Sequence, residues 1–188
     1  MNDALFTLLN SISPMSAGLT AHLSSVLVSR EIARNEVLLK RGQVCSHIYF
    51  VERGMLHCFY ERNDVKITAW FMQENDVIIS AKSFFLQIPG EESIVALEDT
   101  VVHGISFQEL QDIYVMFPEF NVAGRVLTSK YYMQSEERLY YLRRERARDR
   151  YLFLLNTQPE IVRRAPLKHI ASYLGITMET LSRIRSSM

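Results

Sequence analysis

Between Asn35 and Phe107 the chain breaks into short runs rich in Val, Ile, Tyr, Phe and Thr, separated by Gly, Asn or Asp: "NEVLLKRGQ", "HIYFVERGMLHCFYERND", "VKITAWFMQEND", "VIIS", "SIVALED" and "TVVHGISF". β-branched and aromatic residues suit a pleated surface, and runs this short bury their apolar side chains only by pairing with one another. The pattern predicts an antiparallel β barrel or roll. "ERND" at 61–64 is the expected hairpin turn, and Gly42, Gly54 and Gly104 mark tight bends or close packing.

Helical patterns flank this region. Residues 3–30 read as two short helices interrupted at "SISPMSAG", where Pro14 and Gly18 punctuate the pattern. After Pro118 the strands end. From about Glu119 to Tyr141 a Pro-free stretch places Val122, Val126, Met133 and Tyr140 on one side, with Leu127, Tyr131, Leu139 and Leu142 widening the apolar surface. A barrel covers only one side of such a helix, so pairing with a second copy is expected. Another helix, Arg146 to Asn156, carries Ala147, Tyr151, Leu154 and Leu155 at helical spacing, and Pro159 follows its end.

The net charge of zero conceals an asymmetry. Residues 1–120 hold 8 Lys/Arg and 15 Asp/Glu, net −7, whereas residues 121–188 hold 13 and 6, net +7. The excess is concentrated in "RLYYLRRERARDR", with Arg138, Arg143, Arg144, Arg146, Arg148 and Arg150, and continues in Arg163, Arg164, Lys168, Arg183 and Arg185. A run like this is either a solvated helix face or a surface for nucleic acid. With 48% hydrophobic and 22% charged residues, the 188-residue chain can build one main domain plus a small appendage. No stretch is long and apolar enough to span a membrane, and the N-terminus lacks a secretory pattern, so a cytoplasmic protein without membrane contact is expected. Cys45 and Cys58 stand in no C-x-x-C spacing and beside no His cluster. They are read as half-buried free thiols, with no metal, disulfide or cofactor implied.

The stretch "LKHIASYLGITMETLSRIR", Leu167 to Arg185, is the most specific motif. Two helices crossing through a short turn need a small residue at their contact, Ala171, and tolerance of positive φ where the first ends, Gly175. Ile170, Leu174, Ile176, Leu181 and Ile184 supply a shared interior. Thr177 can cap the second helix and Glu179 complements its dipole, leaving Met178, Glu179, Thr180, Ser182 and Arg183 facing outward, where a helix-turn-helix reads base edges.

With these features in place, the chain resembles the Crp/Fnr transcription regulators over nearly its whole length. The likeness rests on "RGQVCSHIYFVERGMLHCFY" in the roll, on "ENDV" and "IVALED" flanking a phosphate cassette, on "FPEF" entering a dimer helix, and on "IASYLGITMETLSRIR". The resemblance implies an α+β chain: N-terminal helices and an antiparallel, jelly-roll-like β roll as a sensor at 1–120, a dimerisation helix at 121–142, and a helix-turn-helix at 143–188. The wing usual after the recognition helix is expected to be absent or truncated, since the sequence ends at Met188. Thr177, Met178, Glu179, Thr180, Ser182 and Arg183, with Lys168, Arg163 and Arg164 as phosphate contacts, are the expected DNA-binding residues. Glu179, Thr180 and Arg183 look like the family's base-reading trio. Arg can donate two hydrogen bonds to guanine, and Glu can accept from cytosine N4.

The effector pocket departs from the cyclic AMP-binding pattern. Ile79, Ser80 and Ala81 stand near the place of the family's Gly-Glu, and Glu92-Ser93 stands where Arg-Ser would pair the cyclic phosphate. A carboxylate there repels what a guanidinium would hold. Thr128-Ser129 matches a Thr-Ser pair that contacts adenine in the cyclic AMP receptor, and the pocket is assigned to these seven residues with the effector unknown. His57 and His103 have no recognisable axial partner for haem. No nucleophile with base, metal spacing or Gly-rich phosphate loop points to an enzyme. The expected function is a homodimeric regulator that binds a pseudo-palindromic site in double-stranded DNA, with an unknown small-molecule effector other than cyclic AMP. The alternative is a small-ligand-binding module whose vestigial helix-turn-helix serves protein interaction.

Overall fold

The computed structural model describes residues 3–187. Helices α1 (Asp3–Ile12) and α2 (Ala17–Val26) precede the roll, and Ser16 caps α2 by accepting from the Leu19 N–H at 3.1 Å. The roll consists of β1 (Val28–Ile32), β2 (Val37–Leu39), β3 (His47–Arg53), β4 (Leu56–Arg62), β5 (Val65–Met72), β6 (Val77–Ile78), β7 (Glu92–Ala96) and β8 (Thr100–Ser106). Its two antiparallel sheets have strand orders β1-β8-β3-β6 and β2-β7-β4-β5. The expected α+β architecture is therefore present. At the tip of the β4–β5 hairpin Arg62 pairs with Val65, and Asn63 and Asp64 have φ of 50° and 60°. A two-residue turn of this hand matches the right-handed twist of the strands, and Asn and Asp tolerate it. Gly54, at φ 99°, lies so close to the backbone of Thr100 that a Cβ would come within 2.7 Å of its Cα.

Three elements lie outside the sequence reading. β1 falls in the stretch assigned to the second helix, because Val28–Ile32 is drawn out by pairing with Thr100–Gly104 of β8. After the short cassette helix α3 (Ala81–Leu86), the chain forms α4 (Phe107–Met116) directly behind β8. The Ser106 hydroxyl accepts from the Glu109 N–H while the Glu109 carboxylate accepts from the Ser106 N–H, a reciprocal cap that fixes this start. α7 (Pro159–Arg164) opens with Pro159 inside the helix, where its missing N–H costs nothing.

The long helix α5 (Phe120–Arg144) has 25 residues, roughly 37 Å, and extends slightly beyond the expected 121–142 at both ends. Tyr131 fixes it to the roll by accepting from the Val77 N–H at 2.7 Å. α6 (Ala147–Thr157), α7, α8 (Leu167–Leu174) and α9 (Met178–Ser186) complete the chain. One apolar core fills the roll and its junction with α1, α2, α4 and α5; a second joins the C-terminal helices to Met55 and Phe71 of the roll. Cys45 and Cys58 are buried, not half-buried, since both lie in the roll's interior, and both are free thiols. Among the described residues no helix is long and apolar enough to cross a membrane, and no group of three or more His, Cys, Asp and Glu is placed to hold a metal.

Candidate nucleic-acid interface and sensor cavity

In the C-terminal hairpin Ala171 is buried in one core with Ile170, Leu174, Leu181 and Ile184. Gly175 ends α8 at φ 64°, and the Ile176 N–H returns to the Ala171 carbonyl at 3.0 Å. Thr177 caps α9 by accepting from the Thr180 N–H at 3.2 Å. Its partners in the sequence reading fall on the outer face: Met178, Glu179, Ser182 and Arg183 are exposed, and Thr180 is half-buried. Hydrogen bonds from its own N–H and from Thr177 hold the Glu179 carboxyl below the usual carboxylate range. At neutral pH it is an acceptor only. Arg183 leans back onto the Thr180 hydroxyl at 3.4 Å, a contact weak enough to yield to a base edge.

The arginines divide into two groups. Arg143, Arg144, Arg146 and Arg148 are exposed on the α5–α6 junction, as is Lys168 on α8. Arg163 is exposed but paired with Glu160 one turn away. Arg138, Arg150 and Arg164 point inward. Arg150 donates to the Leu174 carbonyl at 2.6 Å, and Arg138 to the carbonyls of Thr68 and Tyr173 at 3.3 and 3.4 Å. Arg164 makes a forked bond to Glu74 at 2.7 and 2.9 Å and a further bond to Glu98. Its guanidinium is committed to the roll, so it is not placed as a phosphate contact.

Arg138 belongs to an interface that the sequence does not announce, in which α8 lies against β5. The Thr68 N–H donates to Ser172 Oγ at 2.9 Å, Phe71 meets Tyr173 edge-on, and the rings of His57 and His169 stand 4.1 Å apart. His57 Nε2 also meets the Thr68 hydroxyl at 2.8 Å, and Lys66 and Lys168 bring positive charge from the two sides. Burial first, then the charges of His169, Lys66 and Lys168, pushes His57 down to about 3; burial and the two lysines push His169 down to about 4. Docking therefore favours neutral rings. Its contribution is complete above the unfolded histidine value of about 6.5 and is lost as pH falls towards the folded values, because undocked rings take up protons that docked ones refuse. Thermal unfolding should show stability falling between about pH 6.5 and 5, before most carboxylates titrate, and His169→Gln should flatten that slope. An unchanged slope in the variant would contradict this assignment.

In the cassette, the Ser80 hydroxyl donates to Glu92 Oε2 at 2.6 Å and Ser93 Oγ accepts from the Arg41 N–H at 3.0 Å. A Cβ on Gly90 would press on Ser83 at 3.1 Å, so the loop is closely packed. Beside it lies a cavity of about 410 Å³ between the roll, α1, α2, α4 and α5. Ile79, Ala81 and Thr128 of the expected pocket line it. Ser80, Glu92 and Ser93 are tied into the cassette and Ser129 is exposed on α5, so these four lie outside the wall. The residues that sequence reasoning missed are mainly apolar or aromatic, including Leu9, Trp70, Phe84, Tyr114, Leu127 and Tyr131. Each reads locally as ordinary core, and only their convergence from separate elements leaves a space.

Residues 29–115 match the cyclic nucleotide-binding domain family. The whole chain shares the fold of solved Crp/Fnr-type structures. It is similar to a CooA mutant from Carboxydothermus hydrogenoformans, with 18% identity and a TM-score of 0.73 over 100% of this chain and 84% of that one. It is also similar to a putative transcriptional regulator of the Crp/Fnr family from Eubacterium rectale, with 17% identity and a TM-score of 0.71 over 95% and 84% of the two chains. FixK2 from Bradyrhizobium japonicum aligns with 20% identity and a TM-score of 0.70 over 86% and 84%. No curated protein sequence matches the chain.

Proposed function

We propose that the chain is a DNA-binding transcription regulator in which a cyclic nucleotide-binding-like roll is coupled to a helix-turn-helix, working as a homodimer joined along α5. The observation that carries this reading is α9: capped by Thr177, anchored by buried Leu181 and Ile184, and presenting Met178, Glu179, Ser182 and Arg183 to solvent. A hairpin that only closes a core also shows solvent a polar face, but here that face carries Glu179 and Arg183, the side-chain types that pair with cytosine and guanine edges. The transcriptional regulator named in the Eubacterium rectale structure supports the same reading through its fold. Exposed arginines 143, 144, 146 and 148, with Lys168, supply charge for the DNA backbone. The dimer is expected to bind a pseudo-palindrome with half-sites about 34 Å apart, one helical turn.

Selection from random DNA followed by titration at two salt concentrations tests this. Arg183→Ala should cost about 1–3 kcal/mol at one symmetric pair of positions and relax the preference there, as losing a guanine contact would. Arg146→Ala should weaken all sequences alike and lower the salt slope by about one unit per phosphate contact. An Arg183→Ala protein that selects the same sites with wild-type affinity would remove Arg183 from the reading face, and a chain that selects no sequence would remove the regulator.

A further inference from the structure

The cavity beside α5 has the size of a small-molecule site, since ligand pockets commonly span about 300–1,000 Å³. Among the described residues, no Lys, Arg, Asp or Glu lines it. A charged molecule would lose its hydration there without gaining a partner, which costs far more than apolar contact returns. The neighbouring cassette offers no alternative seat for a phosphate, because the Ser80 hydroxyl is engaged by the Glu92 carboxylate. Apolar walls of this kind also hold water poorly.

Among the polar side chains of the wall, one buried atom stands without a partner. His103 lines the cavity and is 95% buried; its Nε2 is bonded to Glu52, while its buried Nδ1 has no hydrogen-bond partner among the described residues. In the neutral tautomer that donates its Nε2–H to the carboxylate, Nδ1 presents a lone pair. A buried acceptor left open is costly, and a donor on a bound molecule would satisfy it. Thr128, Tyr132 and Ser135, which line the cavity from α5, are themselves exposed, so the space opens beside that helix.

We propose that this cavity is an effector site for an uncharged, predominantly apolar small molecule carrying one hydrogen-bond donor, with His103 as its polar anchor. The inference rests on the sensor half of the regulator reading and needs nothing from its DNA-binding half. The fluorescent probe N-phenyl-1-naphthylamine has this chemistry, with two aromatic groups and a single N–H. Added to the full chain, it should bind saturably at one site per chain. Its N-methyl analogue, which has no donor, should bind more weakly by roughly 2–10-fold, the range expected for one hydrogen bond. Leu127→Trp, which fills the cavity, should lower probe affinity at least about tenfold. His103→Phe should abolish the difference between the two probes, and cyclic AMP should displace neither. Absence of saturable binding by folded wild-type protein, wild-type affinity in a folded Leu127→Trp variant, or displacement by cyclic AMP would each overturn the site. Equal binding of both probes to wild type would overturn His103 as the anchor. DNA selection on the same preparations without probe reports separately on the regulator reading.

Discussion

Val126→Asp should convert the proposed dimer into a monomer and reduce affinity for selected DNA by about 10²–10⁴-fold, the advantage lost when two linked half-site contacts become one. On α5, Val122, Val126, Met133 and Tyr140 are spaced by four, seven and seven residues, and they remain 37%, 38%, 61% and 48% exposed. That spacing suits the seam of a two-stranded coil, and in the proposed dimer a two-fold axis would place each residue near its own copy. An aspartate at Val126 would then bring two carboxylates together in an apolar seam, with both desolvation and like-charge repulsion opposing association. Val126→Leu should leave the dimer intact. Sedimentation of the variants at tens of micromolar, followed by gel shift on selected DNA, checks both halves of the prediction. A Val126→Asp protein that sediments as a dimer would move the interface elsewhere.

Arg164→Ala should loosen the C-terminal helices from the roll, lowering the stability of the docked unit by about 2 kcal/mol. Its guanidinium is 18% exposed and serves Glu74 and Glu98 together, so removing it leaves two carboxylates facing each other. Their own exposures of 33% and 37% reduce the loss below that of a fully buried pair. Burial would raise Glu74, yet hydrogen bonds from Arg164 and from backbone N–H groups, including that of Gly54, bring it down to about 2. The contribution is therefore complete above the unfolded value of about 4.3 and disappears as pH falls towards 2. Denaturant unfolding should separate wild type from Arg164→Ala at neutral pH, with the two curves converging in acid. Arg164→Lys should recover little, because an ammonium cannot fork to two oxygens of one carboxylate while reaching a second. A pH-independent difference would assign the effect to packing instead of charge.

The helix-turn-helix was legible because its requirements are local: Ala171, Gly175 and Thr177 each answer a backbone constraint within a few residues. The β4–β5 turn was legible for the same reason, with Asn63 and Asp64 in left-handed geometry. The reciprocal cap at Ser106 and Glu109 carried an equally local signal for α4, hidden by the apolar strand that runs straight into it. Long-range features left no such trace. Met55 and Phe71 look like roll interior in any reading by strand alternation, yet they pack with Tyr173 and the C-terminal helices. Arg164 likewise reads as surface charge until Glu74 and Glu98 are brought to it from the far side of the chain. The cavity is harder still, since it is a volume left between elements and has no residue pattern of its own.

Tyr131 and Arg138 lie seven residues apart on α5, two helical turns or roughly 10 Å, and so project from nearly the same side of the helix. Tyr131 lines the cavity and holds the start of β6, whereas Arg138 holds both β5 and the end of α8 and stacks on Tyr173 at 4.4 Å. The segment between them contains neither Gly nor Pro, the residues that most readily let a helix bend. It behaves as a short crankshaft with a bearing at each end. Were the helix to turn about its own axis at the cavity, the movement would reach, with little lost in between, the Tyr173 carbonyl near the end of α8, the first helix of the proposed DNA-reading hairpin.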